Sequence, residues 1–407
     1  MKKICILLLC TSFVIVSKAQ YKNDNVLYKT VYSQDLCNEL NSHPGYLVID
    51  VRTPGEYADT SSRGLNLGRF KGAINLEVSE LGNHMAEISA YKDKPVFVYC
   101  SHSQRSRRAS KMLADSGFTK VFNINGGMTG ILQLPVASNK CLYDKLESNN
   151  AYNIISAADL CKKIETAATD IFLLDVRNDS AFKHISLDAK VNAYGYFKNS
   201  THIALADIGG NLSRIPAGKE IIIIDLFGGD AAKAAGLLKQ NNYQKVSVLV
   251  EGIDRVLHTD SKDLSCLGSA YVPGSSYKMI NAQELFLFTK TGKDYLFLDA
   301  RSVEEFTNKH KNYWQNIGHL MNAVNIPAAD LESQWNKIES YKTKPVIIYL
   351  FGSGTAAHEA ANTLVKKGFT NVMVLHGGIF NIGWTAANVK GFSALAKLRE
   401  DIPAENL

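Results

Sequence analysis

One short box recurs about every 125 residues along this chain, and that period constrains its architecture more than any single residue does. Asp50-Val51-Arg52 returns as Asp175-Val176-Arg177 and again as Asp299-Ala300-Arg301. An apolar run precedes each box, at 46–49, 171–174 and 295–298. Upstream of each lies a helix-start pattern ending in an acid and leucine: Asp35-Leu36, Asp159-Leu160 and Glu284-Leu285. A second apolar run follows at 96–99, 221–224 and 346–349, then a helix, and a glycine-bearing turn closes each unit at Gly126-Gly127, Gly252 and Gly377-Gly378. A repeat of this length is a whole domain, and strands alternating with helices give an α/β domain with a central parallel sheet. The chain therefore reads as three tandem α/β domains at 25–140, 147–260 and 275–392. The Gly-, Ser- and Pro-bearing stretch 261–276 reads as a linker, and 393–407 as a charged tail.

The N-terminus stands apart from this repeat. Lys2-Lys3, an apolar stretch over 4–16 and Ser17-Lys18-Ala19 before Gln20 have the pattern of a cleaved secretory signal, residues 1–19. The stretch is too short to span a membrane, and no later segment approaches about 18 uninterrupted apolar residues. Leu7-Leu8-Leu9 before Cys10 lacks the small residue that lipoprotein processing needs. The expectation is an exported, periplasmic protein without a lipid anchor. Losing Lys2, Lys3 and Lys18 takes the net charge from +6 to +3, too mild for a nucleic-acid partner. Five cysteines remain: Cys37, Cys100, Cys141, Cys161 and Cys266. An odd, sparse set argues against a disulfide framework and leaves at least one free thiol, with Cys100 the natural candidate. Cys37 and Cys161, each following a leucine in a helix, read as core residues.

Cys100 carries the chemistry. It ends the apolar run Val96-Phe97-Val98-Tyr99, a buried strand, and a helical pattern begins at Gln104 or Arg105, with Ala109, Met112 and Leu113 on one face. A sulfur between a buried strand and a helix N-terminus faces unpaired backbone N–H groups and the positive end of the helix dipole. Arg105, Arg107 and Arg108 follow within eight residues. Both features favour thiolate over thiol and hold an anion beside it. No His/Cys cluster has metal-ligand spacing, and the G-x-G matches lack the context of a dinucleotide fingerprint.

The loop Cys100-Ser101-His102-Ser103-Gln104-Arg105-Ser106 has the form C-x4-R and resembles the active-site loop of the rhodanese (sulfurtransferase) family. Related cell-cycle phosphatases carry one more residue for a larger phosphoryl group. Val48-Ile49-Asp50-Val51-Arg52 with Glu56-Tyr57, the turn Gly68-Arg69-Phe70-Lys71-Gly72-Ala73-Ile74-Asn75 and Asn125-Gly126-Gly127 resemble the family's other boxes. Arg69 stands in place of the usual His of that turn, and Ser103 where many members have Gly. The resemblance covers nearly all of the chain beyond residue 20. It implies three tandem rhodanese-like domains and a Cys100 persulfide formed from thiosulfate or a similar small-molecule sulfur donor, then passed to a thiol or cyanide acceptor.

In this scheme Cys100 is the nucleophile and Arg105 holds the donor anion. Ser101, His102, Ser103, Gln104 and Ser106 line the binding loop, Asp50, Arg52 and Arg69 support it, and no metal or cofactor is called for. Asp50 and Arg52 also read as a buried ion pair fixing the strand end. The corresponding loops of the other repeats read Asp225-Leu226-Phe227-Gly228-Gly229-Asp230 and Leu350-Phe351-Gly352-Ser353-Gly354-Thr355. Oxygen cannot carry a sulfane sulfur as a persulfide, and the third loop has no nucleophile, so both domains read as catalytically silent. A competing reading makes the silent domains a scaffold for a protein partner and Cys100 a sulfide or redox sensor.

Overall fold

The computed structural model describes residues 23–62 and 66–403. The signal sequence expected over 1–19, with Cys10, lies outside the described residues, as do 404–407. Within them stand three parallel five-stranded sheets, one per repeat. In the first the order is Lys29–Tyr32, Val121–Asn125, Val96–Tyr99, Leu47–Asp50, Ile74–Asn75. The second and third repeats use the corresponding strands in the corresponding positions. All four residues of Val96–Tyr99 are buried, as are those of Leu47–Asp50, because helices cover both faces of a parallel sheet. The core of each domain is accordingly split in two by its sheet, one apolar cluster per face. Among the described residues no helix is long and apolar enough to cross a membrane.

The strand end bearing each Asp-x-Arg box is fixed by a buried ion pair. Arg52 Nη2 lies 2.6 Å from Asp50 Oδ2, its Nε donates to Asp50 Oδ1 at 3.0 Å, and Nη2 also donates to the Gly68 carbonyl at 2.7 Å. Arg177–Asp175 and Arg301–Asp299 repeat the arrangement at 2.7 and 2.6 Å. Asn75 Nδ2 donates to the carbonyls of Asp50 and Arg52, so the turn box is tied to the same strand end. This is the structural half of the expectation for Asp50 and Arg52.

Three corrections concern the repeat boundaries. The stretch 261–276 is not a linker: its strand Tyr271–Val272 pairs antiparallel with Tyr196–Phe197, and Cys266 is buried in the second domain's core. Nor is 393–403 a loose tail, since Arg399–Glu400 pairs with His319–Leu320 and Leu395 is buried. The first repeat has the same strap, Leu146–Glu147 against Arg69–Phe70, so it runs beyond residue 140. Each domain ends in a strap that returns to its own turn box.

The cysteines are the fourth correction. Cys37 is bonded to Cys141 and Cys161 to Cys266, and among the described residues Cys100 is the free thiol. Each bond joins the first helix of a repeat to the segment leading into its strap. The two pairs occupy equivalent places one repeat apart; in the third repeat the helix position holds Phe286, whose ring packs edge to face at 5.7 Å on Phe392 in the segment leading into the strap. A sparse count therefore concealed a framework that the repeat itself marks. Peptide mapping of the unreduced, denatured chain should find Cys100 alkylated and the other four cysteines beyond residue 20 protected. The double variant Cys161→Ala/Cys266→Ala should lower the denaturation midpoint, with a loss of about 2–4 kcal/mol.

Candidate active site

Cys100 stands at the C-terminal end of the central strand Val96–Tyr99, where ligands bind in open α/β sheets. Its side chain is buried, and Sγ accepts the Ser103 N–H at 3.1 Å, with Ser106 Oγ at 3.7 Å. The helix Gln104–Asp115 begins at once, aiming its N-terminus at the sulfur. Ser103 makes the turn with φ +117°, a region that favours glycine. Its hydroxyl compensates by accepting the Gly126 N–H at 2.6 Å and donating to Asn125 Oδ1 at 3.1 Å. The serine that stands where glycine is usual thus keeps the tight loop and pins it to the closing turn. Ser106 O–H donates to Asn123 Oδ1 at 2.6 Å, which holds the far wall.

The loop's floor is the Gly126-Gly127 turn. Met128 and Thr129 donate their N–H groups to the Cys100 and Ser101 carbonyls at 2.9 and 3.0 Å. Gly127 has φ +57°, and a Cβ there would fall 2.2 Å from the Cys100 carbonyl oxygen. Gly252 and Gly378 repeat this against Asp225 and Leu350.

Arg105 does not reach toward the sulfur. Its fork closes on Glu56, Nη1 to Oε2 at 2.7 Å and Nη2 to Oε1 at 2.8 Å, and Ser101 O–H donates to the same carboxylate at 2.9 Å. The guanidinium expected to hold the donor anion is paired with a carboxylate here, the planar fork bonding it in bidentate fashion. Glu56 was not singled out from the sequence as a site residue. Its signal was present, because Thr53-Pro54-Gly55-Glu56 is a capping box in which Thr53 and Glu56 bond each other's backbone. Burial acts to raise the Glu56 carboxyl, but Arg105, the Thr53 N–H and the Ser101 hydroxyl overcome this and hold it at about 2.

The other expected residues separate. Arg69 sits at the strap, bonded to Glu147 at 2.9 Å and to the Tyr57 carbonyl at 3.1 Å, and takes no part in the cysteine loop. Arg107 is buried against Asp24, Asn125 and Asn388 of the third domain. His102 crosses to the second domain, with Nε2 2.7 Å from Glu251 Oε1. Gln104 is exposed and lines, with Cys100, His102 and Arg105, a cavity of about 540 Å³. The rest of its wall comes from the other two domains, including Asp254, His258, Asn381 and Trp384.

The second repeat shows what the loop holds. Asp225 occupies the place of Cys100, and its own carboxylate accepts the N–H groups of Gly228, Asp230 and Ala231 at 2.5, 2.8 and 3.0 Å. The cradle of amides is an anion site filled from within. In the third repeat Leu350 replaces the nucleophile, while Ser353 Oγ still accepts the Gly377 N–H at 2.8 Å, as Ser103 does for Gly126.

The depressed carboxyl of Glu56 sets a pH dependence. A carboxylate held below its ordinary value contributes stability above about pH 4.5 and loses it as pH falls toward about 2. Denaturation midpoints of wild type and Glu56→Gln should differ by a steady gap above about pH 5 and converge below about pH 4. A gap that stays unchanged through the acid range would contradict the assignment.

The rhodanese-like domain family matches residues 33–134, 156–258 and 284–384, one match per repeat. The uncharacterized protein YqhL of Bacillus subtilis is 32% identical over 130 residues, covering 31% of this chain and 90% of that protein. A sulfurtransferase of Allochromatium vinosum is 31% identical over 96 residues, 24% of this chain and 80% of the relative. Among solved structures, the thiosulfate sulfurtransferase of Pseudomonas aeruginosa aligns over 90% of this chain and 67% of its own, at 17% identity and a TM-score of 0.24. With a family match in every repeat and a cysteine in one loop of three, the chain belongs to the rhodanese-like family as a tandem of three domains.

Proposed function

We propose that the protein is a sulfurtransferase that turns over at Cys100 alone. The observation that carries this is the Cys100 sulfur, held at a helix N-terminus by the Ser103 N–H and lining an open cavity. The thiolate attacks the outer sulfur of thiosulfate or a similar donor. The donor's S–S bond breaks, its electron pair leaves on sulfite, and the transferred sulfur stays on Cys100 as a persulfide. A thiolate or cyanide acceptor then attacks that outer sulfur, departs with it, and regenerates the Cys100 thiolate.

The Ser103 N–H and the unpaired N–H groups of the helix's first turn favour negative charge on the sulfur and on the persulfide. Arg105 acts as a positioning residue: with Glu56 and Ser101 it braces the loop and neutralises a carboxylate that would otherwise repel the donor. The second and third domains wall the cavity and in this reading govern which acceptor reaches the persulfide. The two disulfides support an oxidising compartment, in keeping with export to the periplasm.

Cys100→Ser should fold normally yet take up no sulfur. A hydroxyl stays protonated near neutral pH and cannot form a persulfide. Intact-mass measurement after thiosulfate treatment should show one added sulfur in wild type and none in the variant; sulfur found on Cys100→Ser would sink the mechanism.

Arg105→Ala should raise the donor KM, because Glu56 is then left uncompensated beside the cavity. Losing charged hydrogen bonds worth about 1.5–3 kcal/mol predicts a fall in kcat/KM of about tenfold to more than a hundredfold. Glu56→Gln added to Arg105→Ala should recover part of that loss. Steady-state kinetics in which the double variant is no better than the single would instead assign Arg105 a direct hold on the donor.

A further inference from the structure

The cavity that Cys100 opens into has a second polar centre, built where the second and third domains meet. Asp254 and His258 lie four residues apart on one face of the helix Gly252–His258. His376 follows the strand Val372–Leu375 of the third domain. Asp254 Oδ1 is 3.1 Å from His376 Nε2, and Asp254 Oδ2 is 3.5 Å from His258 Nε2. One ligand atom from each of the three falls within 4.8 Å of the others. A tetrahedral ion with bonds of about 2.0–2.1 Å has ligand–ligand edges of about 3.4 Å, and the two imidazole–carboxylate separations, one from each carboxylate oxygen, lie to either side of that value.

His376 supplies an independent sign. Its ring is buried, at 1% exposure; Nδ1 makes no hydrogen bond, and Nε2 faces the Asp254 carboxylate at 3.1 Å without the alignment of a hydrogen bond. A buried imidazole with Nδ1 unsatisfied and Nε2 poorly aligned to its carboxylate is costly unless something else offsets the lost hydration. The supporting shell is also in place. Tyr194 O–H donates to Asp254 Oδ1 at 2.5 Å, fixing the carboxylate, and the Asn381 amide lies 3.3 Å from His258 Nδ1. The atom facing Nδ1 is the amide nitrogen Nδ2; Nε2 of His258 would be free to ligate with the amide oxygen in its place accepting Nδ1–H. Gly377 admits the His258 ring: a Cβ at that position would stand 2.8 Å from its Cε1.

These residues are not framework of the repeat. At the places of Asp254 and His258 the first domain has Thr129 and Gln133 and the third has Phe380 and Trp384. At the place of His376 the other repeats have Asn125 and Val250. The fold needs none of the three, yet docking brings them together.

We propose that Asp254, His258 and His376 hold a divalent transition-metal ion of the zinc class, with its open coordination positions facing the cavity shared with Cys100. Two imidazoles and a carboxylate with room for water suit such an ion, whereas calcium and magnesium prefer oxygen ligands alone.

The test uses the full chain, stripped with a chelator and titrated with zinc against a chromophoric competitor, with bound metal counted by mass spectrometry. Wild type and Cys100→Ser should each bind one zinc per chain. Asp254→Asn and His376→Gln should bind at least about a hundredfold more weakly, since outer-shell partners alone account for about 10- to 100-fold. Circular dichroism of the stripped proteins checks folding, and the partly exposed His258→Asn replaces His376→Gln if the buried substitution fails to fold. The proposal is overturned if wild type binds no zinc, if the ligand variants lose less than that, or if Cys100→Ser loses binding, which would place the ion on the thiol. Because the readout is metal binding, failure here leaves the sulfur-transfer reading untouched, and failure of that reading leaves this one standing.

Discussion

The active loop depends on one close contact, the N-terminus of the helix beginning at Gly127 pressed against the carbonyls of Cys100 and Ser101. Two N–H groups that a helix start leaves unpaired bond the two carbonyls that the strand end leaves unpaired. No side chain fits between them, so the approach requires a residue without Cβ, and positive φ at Gly127 supplies the turn. With the carbonyls drawn down, the Ser103 N–H faces the opposite way, toward the sulfur. The same contact at Gly252 and Gly378 keeps the loop shape in domains that have no nucleophile.

That shared shape explains how one scaffold divides its labour. A ring of inward N–H groups attracts negative charge whatever its source. In the first domain that charge is, in the proposed cycle, the Cys100 thiolate and then its persulfide. In the second, Asp225 fills the ring with its own carboxylate, bonded three times over, although burial raises its carboxyl above the ordinary value. In the third, Leu350 leaves the chemistry out while Ser353 retains the pin to the closing turn. The silent domains are not idle, because the cavity above Cys100 is walled by residues from both.

Each domain closes on itself through the same device, a C-terminal strap laid antiparallel on its turn box. The joint between the first helix and that strap is covalent twice, at Cys37–Cys141 and Cys161–Cys266, and aromatic once, at Phe286–Phe392. Burying two phenyl rings against each other and closing a long loop by a disulfide are different physics with a common result. Arg69 and His319 belong to this joint, salt-bridged to Glu147 and Asp401, which is why Arg69 is remote from the sulfur.

By itself the sequence determined the three α/β domains, the one cysteine-bearing loop and the buried Asp–Arg pairs. Those features rest on local pattern: apolar runs of strand length, a helix starting after Cys100, and charges two residues apart at a strand end. The straps and disulfides were legible only through the repeat, since Cys37 and Cys161, like Cys141 and Cys266, mark equivalent places that a count of cysteines ignores. Tertiary structure alone decided the partner of Arg105, because Glu56 and Ser101 reach it only after two strand ends come side by side. It alone brought His102 to Glu251 and His376 to Asp254, contacts that cross from one domain to the next. Spacing along a chain reports which side chains share a helix face or a strand end. It carries no information on how separately folded domains dock, and here docking builds the cavity around the thiol.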